Sequence, residues 1–439
     1  MRINSYITST ALGLGLLLAF SPACFAWSVQ KAPPKTKSTR PSDPDEALRL
    51  QINKAMEKKD CVSAIPLLRA LLEHSPQEAV AWFNLGNCYA MTHNTAEALA
   101  SFKKAVAVEP ELYEATANMG LLLARENRCE EAMEPLAKAI KRERNNFSLR
   151  FAQGVCELEG GKYAEAVVDL AAAAGLRPKD PDVHIQLAQA YLKSGQAQAA
   201  EAELEKTLVI DPQNEPAHLG LANLAIDRND LETAVAQLEK IAAAHPDNFA
   251  VREQIATLLL NQKKYEQAAQ ELEKIHASAP DRESISEKLA HAYAQISQDE
   301  KAMALYADLI RAHPDNAEYH SNLGKLYLAK RNFSVAEREF RAALSLRPTD
   351  LECARNLAST FLLEENFSTA AGLLEKIIAS GNATAGEYFY LAVSYDKMNQ
   401  VDPAYANYQK FLALDQGKND TQEFQARQRM KILEKRKKR

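Results

Sequence analysis

Alanine recurs every 34 residues along most of this chain of 439 residues. The spacing holds without insertion or deletion at eleven successive positions, which are Ala64, Ala98, Ala132, Ala166, Ala200, Ala234, Ala268, Ala302, Ala336, Ala370 and Ala404. A fixed period of this length indicates a stack of similar supersecondary units rather than one globular core. Numbered from residue 45, the units put this alanine at position 20, and the eleventh unit ends at residue 418.

Other positions of the 34-residue unit are equally regular. Position 8 is Gly or Ala in every copy except the first, which has Ile52, and position 32 is Pro in eight copies. Position 24 is always large and apolar, as in Phe102 and Leu204. Positions 4, 7, 8 and 11 share one face of a first helix, and positions 20, 24 and 27 share one face of a second. Small residues at 8 and 20 let the two helices approach closely, so each unit is predicted to be a helical hairpin.

The second copy carries the complete pattern. Its residues 82 to 89 read WFNLGNCY, followed by Ala98, Phe102, Ala105 and Pro110. This resembles the tetratricopeptide repeat at every signature position, and the resemblance extends over residues 45 to 418. It implies an all-α fold, a right-handed α-solenoid in which stacked hairpins form a superhelix and the first helices line a concave groove. Stacking is required because one hairpin cannot bury both of its apolar faces.

The segment after the repeats has its own helical pattern. Residues 419 to 439 begin with the cap candidates Asp420 and Thr421 and then place Ala426, Met430 and Leu433 on one stripe. We therefore expect a C-terminal capping helix that covers the last hairpin and ends in a basic tail.

The first 44 residues lack this pattern. Residues 1 to 26 combine Arg2, an apolar run too short to span a bilayer and small residues up to Ala26, which is typical of a signal peptide. Residues 27 to 44 form a Pro- and Lys-rich linker. We expect export to the periplasm or secretion from a bacterial cell. The alternative is a membrane-anchored lipoprotein with Cys24 as its lipidated first residue.

Composition and motifs exclude several functions. The net charge is −5 and the basic residues concentrate in the linker and the tail, so the acidic repeats are expected to repel nucleic acid. The sequence contains no phosphate-binding, metalloprotease or serine-hydrolase motif. We expect no enzyme activity, no cofactor and no metal, and helix packing accounts for the three histidines at position 4, which are His184, His218 and His320.

Two copies depart from the pattern. The first has Gln51 at position 7, and the fourth has Arg150, Gln153 and Glu157 at positions 4, 7 and 11. These polar residues occupy positions that are apolar elsewhere. We expect the weakest packing in the first copy and at the junction of the third and fourth.

Four cysteines lie beside these junctions. Cys61 and Cys129 occupy position 17, and Cys88 and Cys156 occupy position 10 of the following copy. The family packing implies that each pair is in contact, which predicts two disulfides, Cys61–Cys88 and Cys129–Cys156; four buried thiols are the alternative. Cys353 is expected to be buried without a partner.

The resemblance places the binding surface at positions 2, 5, 6, 9, 12 and 13 of each first helix. Position 6 carries an amide in several copies, and a row of amides can bind an extended peptide backbone. This row is similar to the asparagine ladder of protein O-linked N-acetylglucosamine transferase. The alternative is that an asparagine at position 6 is simply common in the tetratricopeptide repeat. The predicted polar groove residues are Arg49, Asn53, Asn84, Asn87, Asn118, Gln186, Asn322 and Asn356.

A carboxylate clamp of the kind found in chaperone adaptors is only half matched. Arg49, Asn53 and Asn84 fit its first half, but Glu114 and Asn118 replace the two later cations. Because Glu114 repels a carboxylate, a working clamp is not expected. The central copies instead offer an apolar tract, which consists of Phe151, Val155, Ile185, Leu192, Leu219 and Ile226.

These features predict a non-catalytic protein-interaction scaffold of the cell envelope that binds an extended partner segment in its groove. One alternative is an outer-membrane-tethered lipoprotein assembly factor. Another is a regulatory subunit of an envelope polysaccharide or glycosyltransferase complex. Membrane contact would come from the basic residues 435 to 439 or from a lipidated Cys24.

Overall fold

The protein is described by a computed structural model that covers residues 44 to 437. Over these residues the chain is all-helical, with 23 helices joined by short turns and no strand. This confirms the all-α class and the series of helical hairpins. The predicted leader, most of the predicted linker, Cys24 and the last two residues of the basic tail lie outside the described residues.

The chain divides into two compact units at residues 241 and 242, inside the twelfth helix. Unit 1 contains six first helices and their partners. Its helices are α1 Pro44–Glu57, α2 Cys61–His74, α3 Ala79–Met91, α4 Thr95–Val108, α5 Tyr113–Arg125, α6 Cys129–Arg142, α7 Phe147–Glu159, α8 Tyr163–Leu176, α9 Pro181–Lys193, α10 Ala197–Ile210, α11 Glu215–Asp227 and most of α12 Leu231–Ala244.

Unit 2 contains five more hairpins and a final single helix. Its helices are α13 Phe249–Asn261, α14 Tyr265–Ser278, α15 Glu283–Gln295, α16 Asp299–Ala312, α17 Ala317–Ala329, α18 Phe333–Leu346, α19 Leu351–Leu363, α20 Phe367–Ala379, α21 Ala385–Lys397, α22 Val401–Asp415 and α23 Asp420–Lys437. Odd-numbered helices up to α21 are the first helices of the copies, and even-numbered helices are the second.

The helices of each hairpin meet through the repeated small residues. All eleven alanines at position 20 are fully buried. At position 8, a Cβ added to Gly86 would lie 2.6 Å from the ring of Phe102, and one added to Gly324 would lie 2.7 Å from the ring of Phe340. These distances are shorter than van der Waals contact, so in these two copies glycine is what lets the phenylalanine at position 24 fit between the helices.

The turn inside each hairpin has a fixed backbone conformation. Position 15 has a positive φ in all eleven copies, and only Gly161 and Gly195 among these residues are glycines. The left-handed conformation is accessible to glycine but disfavoured for residues such as Glu365 and Arg331. The sequence does not reveal this turn, because its residue type varies from copy to copy.

Successive copies are joined by a recurring hydrogen bond between position 4 and the position-32 carbonyl before it. Trp82 Nε1 donates to the carbonyl of Pro76 at 2.9 Å, and Arg252 Nε donates to that of Pro246 at 2.7 Å. The same joint is made by His184, His218 and His320, whose Nε2 atoms lie 3.1 Å from the carbonyls of Pro178, Pro212 and Pro314. The three histidines therefore have a structural role in unit 1 and unit 2.

The last helix covers the end of unit 2. Ala426 and Leu433 on α23 are buried against the final hairpin, and Met430 is partly buried beside them. Arg429 binds Asp396 of α21 through two hydrogen bonds of 2.6 and 2.7 Å. The predicted capping helix is thus present, and an ion pair adds to its apolar stripe.

No helix between residues 44 and 437 is both long and apolar enough to cross a membrane.

Candidate functional site

The first helices of each unit present the positions to which the resemblance assigns partner binding. We call positions 2, 5, 6, 9, 12 and 13 of these helices the first-helix face. Neighbouring first helices touch one another, as α3 touches α5 and α5 touches α7 in unit 1, and α17 touches α19 in unit 2. Side chains on the first-helix face can therefore reach from one copy to the next.

Two amides connect successive first helices in unit 1. Asn118 Nδ2 on α5 donates a 2.7 Å hydrogen bond to Asn87 Oδ1 on α3. Both side chains are buried, as is Asn84 on α3, whereas Asn53 on α1 is half-buried. An amide carries both donors and acceptors, so a paired amide retains further hydrogen-bonding capacity. We call these four residues the amide patch.

Arg49 lies near the amide patch but is engaged by acidic side chains of its own chain. Its Nη2 atom lies 3.0 Å from Glu78 Oε2 and 4.0 Å from Asp45 Oδ2. Its Nε atom also donates to Glu78 Oε1 at 3.4 Å. A partner's carboxylate would have to displace these groups, so Arg49 is held as a structural cation.

The apolar tract divides into buried and accessible residues. Phe151, Val155 and Ile185 are buried, with at most 8% of their surface exposed, because they pack in the cores between neighbouring hairpins. Leu219 and Ile226 are half-buried. Leu192 is 37% exposed. Half of the tract predicted from the sequence is therefore core, and Leu192 is its most exposed member.

Other apolar residues of the first-helix face are more exposed than the predicted ones. Met91 at position 13 of α3 is 48% exposed in unit 1, and Leu363 at the same position of α19 is 50% exposed in unit 2. The sequence could have identified both residues, since position 13 is charged or polar in most copies and an apolar residue there is unusual. Met91 follows the amide patch on the same helix, so unit 1 combines amides with an accessible thioether.

The first-helix face of unit 2 is dominated by ion pairs between copies. Glu253 on α13 binds Lys288 on α15 at 2.7 Å and Arg282 at 2.6 Å. Arg355 Nε on α19 donates to Glu387 on α21 at 2.5 Å. Lys325 also binds Glu352 at 2.6 Å. Most of these charges are thus neutralised within the unit. We call these ion pairs the ion-pair ladder.

The predicted amides of the later copies are less enclosed. Gln186 on α9, Asn322 on α17 and Asn356 on α19 are half-buried. Tyr319, three residues before Asn322, donates its hydroxyl proton to Glu283 at 2.8 Å, and the same oxygen lies 3.3 Å from Glu287. Burial, followed by these carboxylates, raises the pKa of Tyr319 and keeps it a hydrogen-bond donor.

The fourth copy contains a buried polar network at the positions where its sequence departs from the repeat pattern. Gln153 Nε2 on α7 donates to Asp169 on α8 at 2.8 Å and to Glu157 at 3.2 Å, and Arg150 also binds Asp169. Burial, and then the charge of Asp169, raises the pKa of Glu157 to about 7. One oxygen of Glu157 and one of Gln153 are buried without a hydrogen-bond partner.

The cysteines behave differently at the two junctions. Cys129 of α6 and Cys156 of α7 are joined by a disulfide, with Cα atoms 4.9 Å apart. Cys61 and Cys88 are free, buried thiols, so the second predicted disulfide is absent from this structure. Cys353 is also a free, buried thiol.

Among residues 44 to 437 no group of three His, Cys, Asp or Glu side chains could hold a metal ion. The Nδ1 atoms of His184 and His320 lie 2.6 and 2.7 Å from Glu203 and Glu339 within their own hairpins.

The repeated hairpins and a first-helix face rich in amides, ion pairs and apolar side chains define a helical-repeat protein of the interaction type. The chain belongs to the tetratricopeptide repeat family. Family models described as tetratricopeptide repeat match residues 79–112, 117–181, 157–224, 194–259, 259–326, 317–350 and 388–415. Proteins of this family generally bind other proteins and are generally not catalytic.

Several solved structures resemble parts of the chain. YrrB, a tetratricopeptide repeat protein described with an unusual peptide-binding site, is 23% identical over 38% of this chain and 86% of its own, with a TM-score of 0.36. Yeast Tom70 is 15% identical over 90% of this chain and 97% of its own, with a TM-score of 0.34. A chain from the structure of Naa15/Naa10 bound to HypK-THB is 17% identical over 88% of this chain and 65% of its own, with a TM-score of 0.41. A comparison with curated proteins gives no significant match.

Proposed function

We propose that this protein is a non-catalytic scaffold of the cell envelope that binds an extended segment of a partner protein along the first-helix face of unit 1. The observation that carries the proposal is the hydrogen bond between Asn87 and Asn118, which links two first helices through amides that are buried in the free protein. A peptide backbone would bind them only after the side chains that cover them move aside.

The amide patch suits a peptide backbone better than a charged group. Each amide offers a donor and an acceptor, which are the two groups that an extended chain presents along its length. The hydrogen bond fixes both side chains before binding, so less side-chain freedom is lost on association. Met91 and Leu192, which are accessible, would contact apolar side chains of the same segment.

An envelope location is supported by two independent features. Residues 1 to 26 have the pattern of a signal peptide. The disulfide between Cys129 and Cys156 is of a kind that persists in oxidising compartments. Fractionation of the native host with intact-mass analysis tests this part of the proposal. Cleavage after Ala26 gives a soluble exported chain, an acylated Cys24 gives a lipoprotein, and an uncleaved chain in the cytoplasm contradicts both.

Binding is tested with a photo-crosslinking residue at Met91, which lies on the first-helix face of unit 1. Leu363 is the matched control because it occupies the same repeat position in unit 2 with similar exposure. A second control at Glu239 lies on a second helix and is exposed. The proposal expects a crosslinked segment at Met91 and not at the controls.

The captured segment is then made as a peptide, and its dissociation constant is measured with the wild-type chain and with Asn118→Ala and Asn53→Ala variants. Weaker binding by about tenfold for either variant supports the amide patch, since this corresponds to one or two hydrogen bonds. Equal binding by all three proteins, or crosslinks from Glu239 alone, would show that another surface holds the partner.

A further inference from the structure

The two cysteine junctions of unit 1 have the same repeat geometry but different covalent states. Cys61 and Cys129 are the first residues of α2 and α6, and each helix contacts the first helix of the next copy. Cys88 and Cys156 lie at the same position of those following helices, α3 and α7. From the disulfide at one junction we expect the backbone at the other to bring its two cysteines within bonding reach as well.

The thiols of Cys61 and Cys88 already interact. Each thiol influences the ionisation of the other, and both are buried, with 6% and 0% of their surface exposed. We infer that Cys61 and Cys88 are a second disulfide site, which an oxidant of the low-molecular-weight disulfide class closes to tie α2 to α3. Nothing in this inference depends on the partner that unit 1 binds.

A local contact distinguishes the first pair from the second. Cys88 Sγ lies 3.5 Å from the thioether sulfur of Met56 on α1, and the thiol donates to it. The equivalent residue at the second junction is Ala124, which has no such acceptor. Met56 thus holds the Cys88 thiol in a contact that must break before the disulfide forms.

The reaction is an ordinary thiol–disulfide exchange. Cys61, which is the more exposed thiol, loses its proton and attacks one sulfur of oxidised glutathione, forming a mixed disulfide and releasing one glutathione thiolate. The Cys88 thiolate then attacks the Cys61 sulfur and releases the second glutathione. Two protein thiols are oxidised, one glutathione disulfide is reduced, and the two protons end on the two released glutathione molecules. Burial raises the pKa of both cysteines, so the exchange is slow.

The test is peptide mapping of the full chain after reduction and equilibration with oxidised glutathione. Trypsin places the four cysteines in four separate peptides, which are residues 60–69, 70–103, 129–138 and 151–162. After free thiols are alkylated, the inference expects 60–69 linked to 70–103 and 129–138 linked to 151–162. Cys61 and Cys88 recovered as separate alkylated or glutathionylated peptides, or linked to other cysteines, would overturn it.

Two variants sharpen the assignment. In Cys88→Ser, Cys61 has no resolving partner and should accumulate as the glutathione mixed disulfide, whereas Cys353→Ser should leave the map of the four peptides unchanged. In Met56→Leu, which conserves volume, the 60–69 to 70–103 link should form several-fold faster. An unchanged rate in Met56→Leu would show that the thioether does not hold the pair reduced. Because the wild-type map needs no substitution, a variant that fails to fold leaves the main test intact.

Discussion

The first-helix faces of unit 1 and unit 2 are built from the same repeat positions but satisfy their polar groups differently. In unit 1, neutral amides such as Asn87 and Asn118 bond to each other between copies. In unit 2, opposite charges do so, as in Glu253 with Lys288 and Arg355 with Glu387. An ion pair neutralises both of its members, whereas an amide pair leaves each member with further donors and acceptors. This difference is why we propose unit 1 as the peptide-binding part, whereas the polar side chains of unit 2 bind one another.

The largest expected effect on stability concerns the ion pair that holds the last helix. Replacing Arg429 by Leu leaves Asp396, whose side chain is only 5% exposed, without its cation. Because the arginine itself is 42% exposed, we expect a loss of about 2–3 kcal/mol, at the lower edge of the range for broken buried pairs. Hydrogen exchange should show α23 losing protection. Arg427→Leu on the same helix is the control. Arg427 is 60% exposed and its partner Glu423 lies only four residues away, so a smaller change is expected.

The second test uses the buried acid of unit 1. The folded-state pKa of Glu157, about 7, is above the ordinary value of 4.5, so the folded chain binds this proton more tightly than the unfolded chain does. Stability from this group is fully present below pH 4.5 and is lost as the pH rises through 7. We expect Glu157→Gln to remove that loss and to stabilise the fourth hairpin at pH 8 by roughly 1–2 kcal/mol.

Local hydrogen exchange of α7 and α8 at several pH values measures this effect. The exposed Glu159→Gln on the same helix is the matched control and should retain the wild-type pH profile. A Glu157→Gln variant that follows the same profile as wild type would show that its carboxyl group remains ionised and compensated in the folded state.

The third test measures whether the stability contributed by the hydrogen bond between Asn118 and Asn87 depends on ionic strength. Asn118→Ala removes the donor to Asn87 Oδ1 and should destabilise unit 1 by about 1 kcal/mol, equally at low and high ionic strength, since both groups are neutral. Trp82, which lies in α3, reports the unfolding of unit 1 by fluorescence once Trp27 is replaced by Phe. Asn356→Ala, at the same repeat position in unit 2, is the control. A cost that halves in salt would contradict the neutral character of this contact.

The smallest effect is expected in the ion-pair ladder. Lys288 and Glu253 are 31% and 23% exposed, so Lys288→Met should cost only about 0.5 kcal/mol. That cost should disappear in about 1 M salt, where exposed charges are screened. Hydrogen exchange of α13 and α15 at both ionic strengths provides the measurement. If the cost persisted in salt, the ladder would be acting through packing rather than charge, and the contrast between the units would weaken.

Much of the fold follows from the sequence because it depends on residue size at fixed spacing. The alanines at position 20 and the glycines at position 8 are sufficient to identify the helix contacts, and Ala426 with Leu433 identifies the cap. The left-handed residue at position 15 was not predictable, since residues as different as Ser297 and Glu365 adopt it. The closed turn between two packed helices imposes that conformation.

The candidate site was less predictable, because it depends on how far side chains reach between copies. Asn84, Asn87 and Asn118 were identified from their repeat positions, but their burial was not. Phe151 and Val155 occupy positions of the first-helix face and still pack inward, since neighbouring first helices lie close enough to cover them. Arg49 also binds Glu78, which precedes α3, and Glu253 binds Lys288 of α15, so no local sequence pattern predicts these two contacts.

The joint between copies has a consequence for how such chains can vary. Trp82, His184 and Arg252 differ in size, charge and aromaticity, yet each directs an N–H group to the carbonyl that ends the preceding copy. Position 4 requires a side chain that can place an N–H group within hydrogen-bonding distance of this carbonyl, not a particular amino acid. Substitutions among these three types could therefore accumulate over evolutionary time without loosening the stack, and a motif search that demands tryptophan there would overlook copies that are mechanically equivalent.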